Sequence, residues 1–321
     1  MRAVIIKEPG GPEVLQIVER ELPQHGDDAL IRVMAVGVNR ADVLQRQGRY
    51  PAPAGVSPDV PGLEFAGIVE KASESGRFQV GDRVFGLSAG ATYQDYVRAS
   101  DNLLMKIPDG LSFAEAATVP EAYITAFDAM CLQGALKPAQ TVLVSAAASS
   151  VGIATAKLAG LFHCRTIGTS RSQEKLNKLS ELFDHAIPVA DGKFGKAVRE
   201  LGGADLIIEL VGGDYVEEDL EAINPLGRII VVGLLAGAKC QITLGKLLAK
   251  RVTMRGTTLR GRPLHEKVAV TRAFEEQILP HFASGKLTVD LDSVYKLEQV
   301  PEAHQRMEKD LNIGKIVLDL S

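Results

Sequence analysis

Hydrophobic and polar residues alternate along the first third of the chain. The alternation is clearest over 29–38, where Leu30, Arg32, Met34 and Val36 share one face, and a period of two is the mark of a half-buried strand. The opening run Met1-Arg2-Ala3-Val4-Ile5-Ile6-Lys7 is too short for a signal-peptide core or a membrane span and reads as a first strand. Further strands are expected over 64–71, 82–86 and 93–99, separated by glycine and proline turns such as Val80-Gly81-Asp82-Arg83-Val84. Up to about Pro120 the pattern therefore predicts a compact β-rich domain or barrel.

From Ser112 the period changes. Ser112 and Glu115 form a capping box ahead of an alanine-rich helix, and a second helix is expected over 121–132. A β/α rhythm follows: strand 141–145, helix 150–161, strand 163–168, helix 172–182, strand 205–211, helix 214–222 and strand 228–233. Continuous apolar strands separated by helices imply a parallel sheet covered on both faces. An amphipathic helix over 271–283, another over 301–308 and a closing strand over 314–320 complete the chain. The last strand has no βαβ partner, so it is expected to return to the first domain. The fold class is α/β, with a β-rich domain from 1–120 and 271–321 and a doubly wound domain, 121–270, inserted between them.

Composition agrees with two domains. The 321 residues exceed one ordinary core, 46% are hydrophobic and 24% charged, and 31 glycines suggest many tight turns or close backbone approaches. Basic and acidic residues number 36 and 40, a net charge of −4 with no long single-sign run, which argues against nucleic acid and an anionic membrane surface as partners. Cys131, Cys164 and Cys240 lack any CxxC spacing and suit reduced thiols in the cytoplasm. His25, His163, His185, His265, His281 and His304 form no zinc-like cluster with them, so no metal is expected.

Four segments carry candidate chemistry. Val144-Ser145-Ala146-Ala147-Ala148-Ser149-Ser150-Val151-Gly152 places small residues between a buried strand and a helix N-terminus, where a pyrophosphate can meet unpaired N–H groups. Its plainer reading is a tight strand–helix turn. At the end of the next strand, Gly168-Thr169-Ser170-Arg171-Ser172-Gln173-Glu174-Lys175 has no carboxylate at the strand tip. Ser170, Arg171 and Lys175 there suit the 2′-phosphate of NADPH, or else form the basic first turn of a surface helix. Val231-Val232-Gly233-Leu234-Leu235-Ala236-Gly237 is a glycine-bearing loop whose backbone could meet a nicotinamide, or a simple strand-ending turn. Asn39 and Tyr50 flank a polar segment, read either as a solvated helix or as the source of a hydrogen bond to a carbonyl that becomes an oxyanion on hydride transfer.

KEPGGPEV at 7–14, NRADVLQRQG at 39–48, PEAYITAF at 120–127, EQILPHF at 276–282 and NIGKIVL at 312–318 together resemble the zinc-independent quinone oxidoreductases of the medium-chain dehydrogenase/reductase superfamily, relatives of zeta-crystallin. The resemblance spans essentially the whole chain. It implies a GroES-like catalytic domain, a Rossmann domain and NADPH in the cleft. Zinc-dependent cousins carry Gly-His-Glu where this chain reads Gly62-Leu63-Glu64, and a four-cysteine lobe is missing after Gly86.

By the same resemblance Asn39 and Tyr50 lie beside substrate and nicotinamide, Thr125 contacts the nicotinamide end, and Gly233 and Leu234 approach the carboxamide. Ser149, Val151 and Gly152 border the pyrophosphate. Ser170 and Lys175 take the 2′-phosphate with Arg171 strengthening that contact, and Asn312 and Lys315 fall in the cofactor-proximal tail. Ala147 and Ser150 replace loop glycines, and Pro188-Val189 replaces an Asn-Tyr pair near the adenosine. The function implied is NADPH-dependent hydride transfer to a small quinone without metal. Reduction of a 2-alkenal or enone, or a non-catalytic NADPH sensor, are the alternatives. A homodimer is implied, with 251–259 as the candidate pairing strand.

Overall fold

The computed structural model describes residues 1–23 and 26–321. His25, one of the histidines weighed for metal binding, lies outside the described residues. The chain divides into two compact units, Met1–Ile124 with Leu259–Ser321, and Thr125–Thr258. The second division falls twelve residues ahead of the expected 270/271. The reason is the helix Leu264–Gln277, whose Arg272 donates to the carbonyls of Asn102 and Leu104 at 3.0 and 2.6 Å, while Glu275 binds Arg77 at 2.6 Å. Those bonds hold the helix to the first unit.

In chain order the first unit supplies β1 (Arg2–Ile6), β2 (Leu15–Glu19), β3 (Ala29–Val38), β4 (Glu64–Lys71), β5 (Arg83–Leu87), β6 (Tyr96–Ala99) and β7 (Leu104–Lys106). The second unit supplies β8 (Thr141–Val144), β9 (Arg165–Ser170), β10 (His185–Pro188), β11 (Ala204–Glu209), β12 (Ile223–Val231) and β13 (Thr253–Gly256). The chain then returns through β14 (Leu291–Lys296) and β15 (Lys315–Asp319).

In the first unit β14-β15-β3-β4-β5-β7 form the main sheet, with β6 also on β3. Ala29, Ile31, Val33 and Ala35 turn into its core, so the face opposite Leu30, Arg32 and Met34 is the buried one. β15 pairs antiparallel with β3, Ile316 opposite Val38 and Leu318 opposite Val36. The polar helix after β3, Arg40–Arg46, is not solvated: Asp42, Val43, Gln45 and Arg46 are buried. Arg46 repays its burial by donating to the Gly10 carbonyl at 3.1 Å and pairing with Glu308.

All six strands of the second unit run parallel, in the order β10-β9-β8-β11-β12-β13. Counted within the unit this is the doubly wound order 3-2-1-4-5-6, which opens a crevice beyond the carboxyl ends of β8 and β11 where the winding reverses. The helix Ser150–Leu161 lies as expected. The helix expected over 121–132 runs Pro120–Phe127 and continues as a π-helical stretch, Asp128–Gln133. The helix expected over 271–283 starts earlier and breaks before Leu279–Ala283, whose Pro280 cannot donate to the preceding turn. The short elements β10, Gly195–Glu200 and Leu244–Lys250 escaped the periodicity, being too brief to show a period. Among the described residues no helix is long and apolar enough to cross a membrane.

His304 gives the first unit a pH dependence. It is fully buried, edge-on to Tyr93 with centroids 5.9 Å apart, and its Nδ1 lies 3.5 Å from Arg46. Burial, then the Arg46 charge, push its pKa down to about 3. The unfolded chain therefore binds a proton that the native state refuses. This contribution to stability is intact above pH about 6.5 and falls by up to roughly 1.4 kcal/mol per pH unit on acidification toward pH 3. Urea midpoints from pH 7 to 4 should decline less steeply for His304→Phe than for the unaltered protein, and equal slopes would refute the assignment.

Candidate active site

At the crevice of the second unit the loop after β8 is built around Gly152. A Cβ there would lie 2.7 Å from the carbonyl oxygens of both Ala146 and Ala147, so this glycine is required by the close approach of helix to loop. Ser149 caps the helix Ser150–Leu161, its Oγ accepting from Gly152 N at 3.0 Å. Val151 forms the helix's first turn and accepts at its carbonyl from Thr155 Oγ1 at 2.8 Å. Ala147 and Ser150, which replace loop glycines, avoid positive φ; the left-handed residue is Ala146, at φ 50°.

β9 ends in Ser170, whose Oγ accepts from Ser172 N at 3.2 Å, and Ser172 in turn caps the following helix through Lys175 N at 3.3 Å. Arg171 is exposed, and the first carboxylate after the strand, Glu174, is held by Lys178 at 2.8 Å. The loop after β12 packs against the loop after β11. Gly233 N donates to the Glu209 carbonyl at 3.2 Å, and a Cβ on Gly233 would meet the Leu210 carbonyl at 2.4 Å. Leu234 beside it is 53% exposed. Thr125, buried in the helix Pro120–Phe127, opens the second unit's chain.

The first unit brings Asn39 and Lys315 together across 276 positions of sequence. Lys315 Nζ donates to Asn39 Oδ1 and to Glu64 Oε1, each at 2.6 Å, and Asn39 Nδ2 donates to the same Glu64 oxygen at 2.8 Å. The other Glu64 oxygen accepts from Glu121 N at 2.7 Å, at the N-terminus of the helix Pro120–Phe127. Two expectations change. Asn39 Oδ1 accepts from Lys315, and its Nδ2 donates to Glu64 and, at 3.4 Å, to the Gly37 carbonyl, so the amide is engaged inside the unit rather than held free for a carbonyl. The Lys315 side chain is 1% exposed, so its ammonium is sealed rather than offered to a cofactor. Asn312, also expected near a cofactor, donates through Nδ2 to the Gly314 carbonyl at 2.8 Å.

Tyr50 differs. Its hydroxyl makes no hydrogen bond among the described residues, and the Arg260 guanidinium lies over its ring at 5.0 Å. Arg260 is itself buried and donates to Gln45 Oε1 at 2.5 Å and to the Ala89 carbonyl at 2.8 Å. Around it stand two perturbed carboxyls that sequence reasoning missed. Burial pushes Asp42 up to about 6, against N–H donors from Asn39 and Gly62. Burial, then the Glu64 charge, push Glu121 up to about 8. An acid one residue after a helix-opening proline reads as ordinary dipole complementation; only the placement of Glu64 at that helix end reveals its like-charge neighbour.

The chain matches the alcohol dehydrogenase GroES-like domain over residues 25–128 and the zinc-binding dehydrogenase domain over residues 150–275. A quinone oxidoreductase of Lama guanicoe is 31% identical over 329 residues, covering 99% of this chain and 97% of that protein. The chain belongs to the medium-chain dehydrogenase/reductase family, in its quinone oxidoreductase-like branch. Two solved structures align over all of this chain and all of theirs at 28% identity and a TM-score of 0.87, an NAD-dependent alcohol dehydrogenase and a mycobacterial protein in complex with NADPH. Membership makes the protein an oxidoreductase and its β-rich unit GroES-like. Among the described residues of this dehydrogenase/reductase, no three His, Cys, Asp or Glu side chains are grouped to hold a metal ion.

The Lys315–Glu64 pair should be costly to break from one side. Lys315→Met leaves Glu64 buried without its cation and should lower unfolding free energy by about 3–5 kcal/mol, whereas adding Glu64→Gln should restore much of the loss. Urea unfolding at pH 7 of the single and double variants measures both.

Proposed function

We propose that the chain is an NADPH-dependent, metal-free oxidoreductase that reduces small quinones. The observation that carries this reading is the end-to-end likeness to a quinone oxidoreductase, and the tip of β9 supplies the cofactor preference. Ser170 and Arg171 stand there in place of the carboxylate that would hold a free 2′-hydroxyl. The residues fit the cofactor: the glycine-tight loop at Gly152 brings backbone up to a pyrophosphate, and the N-terminus of the helix capped by Ser149 presents the N–H of Val151 to it. Ser170, Arg171 and Lys175 would hold the 2′-phosphate, Thr125 would meet the nicotinamide end, and Gly233 with Leu234 would border the carboxamide.

Bound NADPH supplies the hydride. Tyr50, with its hydroxyl uncommitted and a guanidinium on its ring, is the donor to the acceptor oxygen as negative charge develops there. Asn39 acts by holding Glu64 and Lys315 in place. Ligand chemistry supports the metal-free reading: Leu63 has no donor atom, and the Glu64 carboxylate is paired with Lys315.

Stopped-flow loss of NADPH absorbance on mixing with an ortho-quinone is expected at a rate unchanged by prior dialysis against a chelator. Tyr50→Phe should lower kcat by about tenfold to a hundredfold with NADPH affinity within about twofold. Arg171→Ala should cost roughly tenfold in kcat/KM with NADPH and little with NADH. Bound NADPH with no quinone turnover would overturn the quinone assignment, and turnover of a 2-alkenal in its place would establish the enone reaction.

A further inference from the structure

Glu209 ends β11 at the carboxyl edge of the parallel sheet, and Asp219 lies on the helix Tyr215–Ala222; both are fully buried. Glu209 Oε1 accepts from Gly212 N at 2.6 Å and from Val211 N. Glu209 Oε2 and both Asp219 oxygens have no hydrogen-bond donor of their own, and the two carboxyls face each other. The cations on the neighbouring elements are committed elsewhere. Lys193 binds Glu218 at 2.8 Å, Arg199 pairs with Glu221, and Lys246 binds Glu217 at 2.8 Å and Glu221 at 3.1 Å. Lys250 donates to the carbonyls of Leu220, Glu221 and Ile223. The other groups facing the pair are Ser145, Glu218 and Tyr215, the last also under the charges of Arg171 and Asp191.

Two ionised carboxylates cannot share a dry site without a cation. One proton between them converts the repulsion into a short acid–carboxylate hydrogen bond. Asp219, which no N–H group reaches, holds the proton; Glu209, with two N–H donors, keeps the charge. Burial and the Glu209 charge push Asp219 well above its ordinary range.

The retained charge holds one turn directly, and backbone bonds tie that turn to two neighbouring loops. It fixes the turn at Val211 and Gly212, while the Glu209 carbonyl takes Val232 N at 2.8 Å and Gly233 N at 3.2 Å. Ala236 N reaches the Val211 carbonyl at 2.7 Å, and Gly213 N the Gly237 carbonyl at 3.1 Å. Ser145, at the root of the pyrophosphate loop, accepts from Leu210 N at 2.7 Å.

We propose that Glu209 and Asp219 share a single proton and are positioning residues that hold the loops at 209–213 and 232–237 in the form that binds the nicotinamide cofactor. The cofactor half of this inference rests on the function proposed above. Loss of the proton to solvent in alkali leaves two negative charges in the dry site and releases the loops. Because the folded-state pKa of Asp219 lies above its unfolded value, its contribution to stability is complete in acid and is lost as pH rises through the folded value.

The test combines NADPH titration by its own fluorescence with thermal unfolding of the cofactor-free protein, both from pH 7 to 9.5, on the full chain. In the unaltered protein Kd should rise about fivefold or more and Tm should fall across this range. Asp219→Asn keeps an N–H donor toward Glu209 but has no proton to lose, so it should flatten both slopes while binding within about twofold at pH 7. Asp219→Leu offers no donor and should weaken NADPH about tenfold at every pH, raising KM more than kcat at saturating cofactor.

Flat slopes in the unaltered protein, or slopes that survive Asp219→Asn, would overturn the shared proton. A slope in Tm that Asn removes, without a matching slope in Kd, would overturn the positioning role. No NADPH binding at any pH would sink the cofactor reading, and the Tm slopes would then still decide the proton.

Discussion

One buried ion pair organises the first unit. Lys315 on β15 and Glu64 on β4 are both sealed from solvent, and their contact fixes three other features at once. The returning C-terminal strand is pinned beside β3, the amide of Asn39 is locked at the start of the helix Arg40–Arg46, and the helix Pro120–Phe127 receives a carboxylate at its N-terminus. An isolated charge in this interior would be strongly unfavourable, so each partner makes the other tolerable and the amide between them adds a hydrogen bond to each. The consequence is electrostatic as well as structural. Burial, then the Glu64 carboxylate beside it, push the Glu121 carboxyl up to about 8.

The second unit solves a different problem. A parallel sheet leaves its strand ends as bare backbone, and at β8 and β11 those ends diverge to open a crevice. The loop there keeps a glycine only where two carbonyls crowd a Cβ, at Gly152, and leaves the left-handed conformation to Ala146. Glu209 then serves as a backbone acceptor hub whose own burial is made tolerable by a second carboxyl rather than by a base. Charge is thus handled by opposite pairing in one unit and by proton sharing in the other.

These arrangements divide the polar residues by role. Asn39, Lys315 and Glu64 are consumed by one another, which makes them determinants of shape. Tyr50 keeps its hydroxyl without a hydrogen bond among the described residues of the same fold. The chemistry available to the protein therefore depends less on which polar residues it has than on which are left over after the interior is satisfied.

The sequence by itself determined what neighbours along the chain decide. The period of two over β3, the capping box at Ser112, the helix Ser150–Leu161 and the β/α succession all follow from local sterics and hydrogen bonding, and they were legible with their boundaries close to those observed. So was the lack of a carboxylate at the tip of β9. Short elements without a full period, such as β10 and Leu244–Lys250, were not legible. Nor was the burial of the polar helix Arg40–Arg46, because Arg46 looks solvated until Gly10 and Glu308 are brought to it. The commitment of Asn39 to Lys315, the raised carboxyl of Glu121 and the facing of Glu209 and Asp219 were decided only by the tertiary structure. Each depends on desolvation and on charges brought close from distant parts of the chain, and neither quantity exists before the chain has folded.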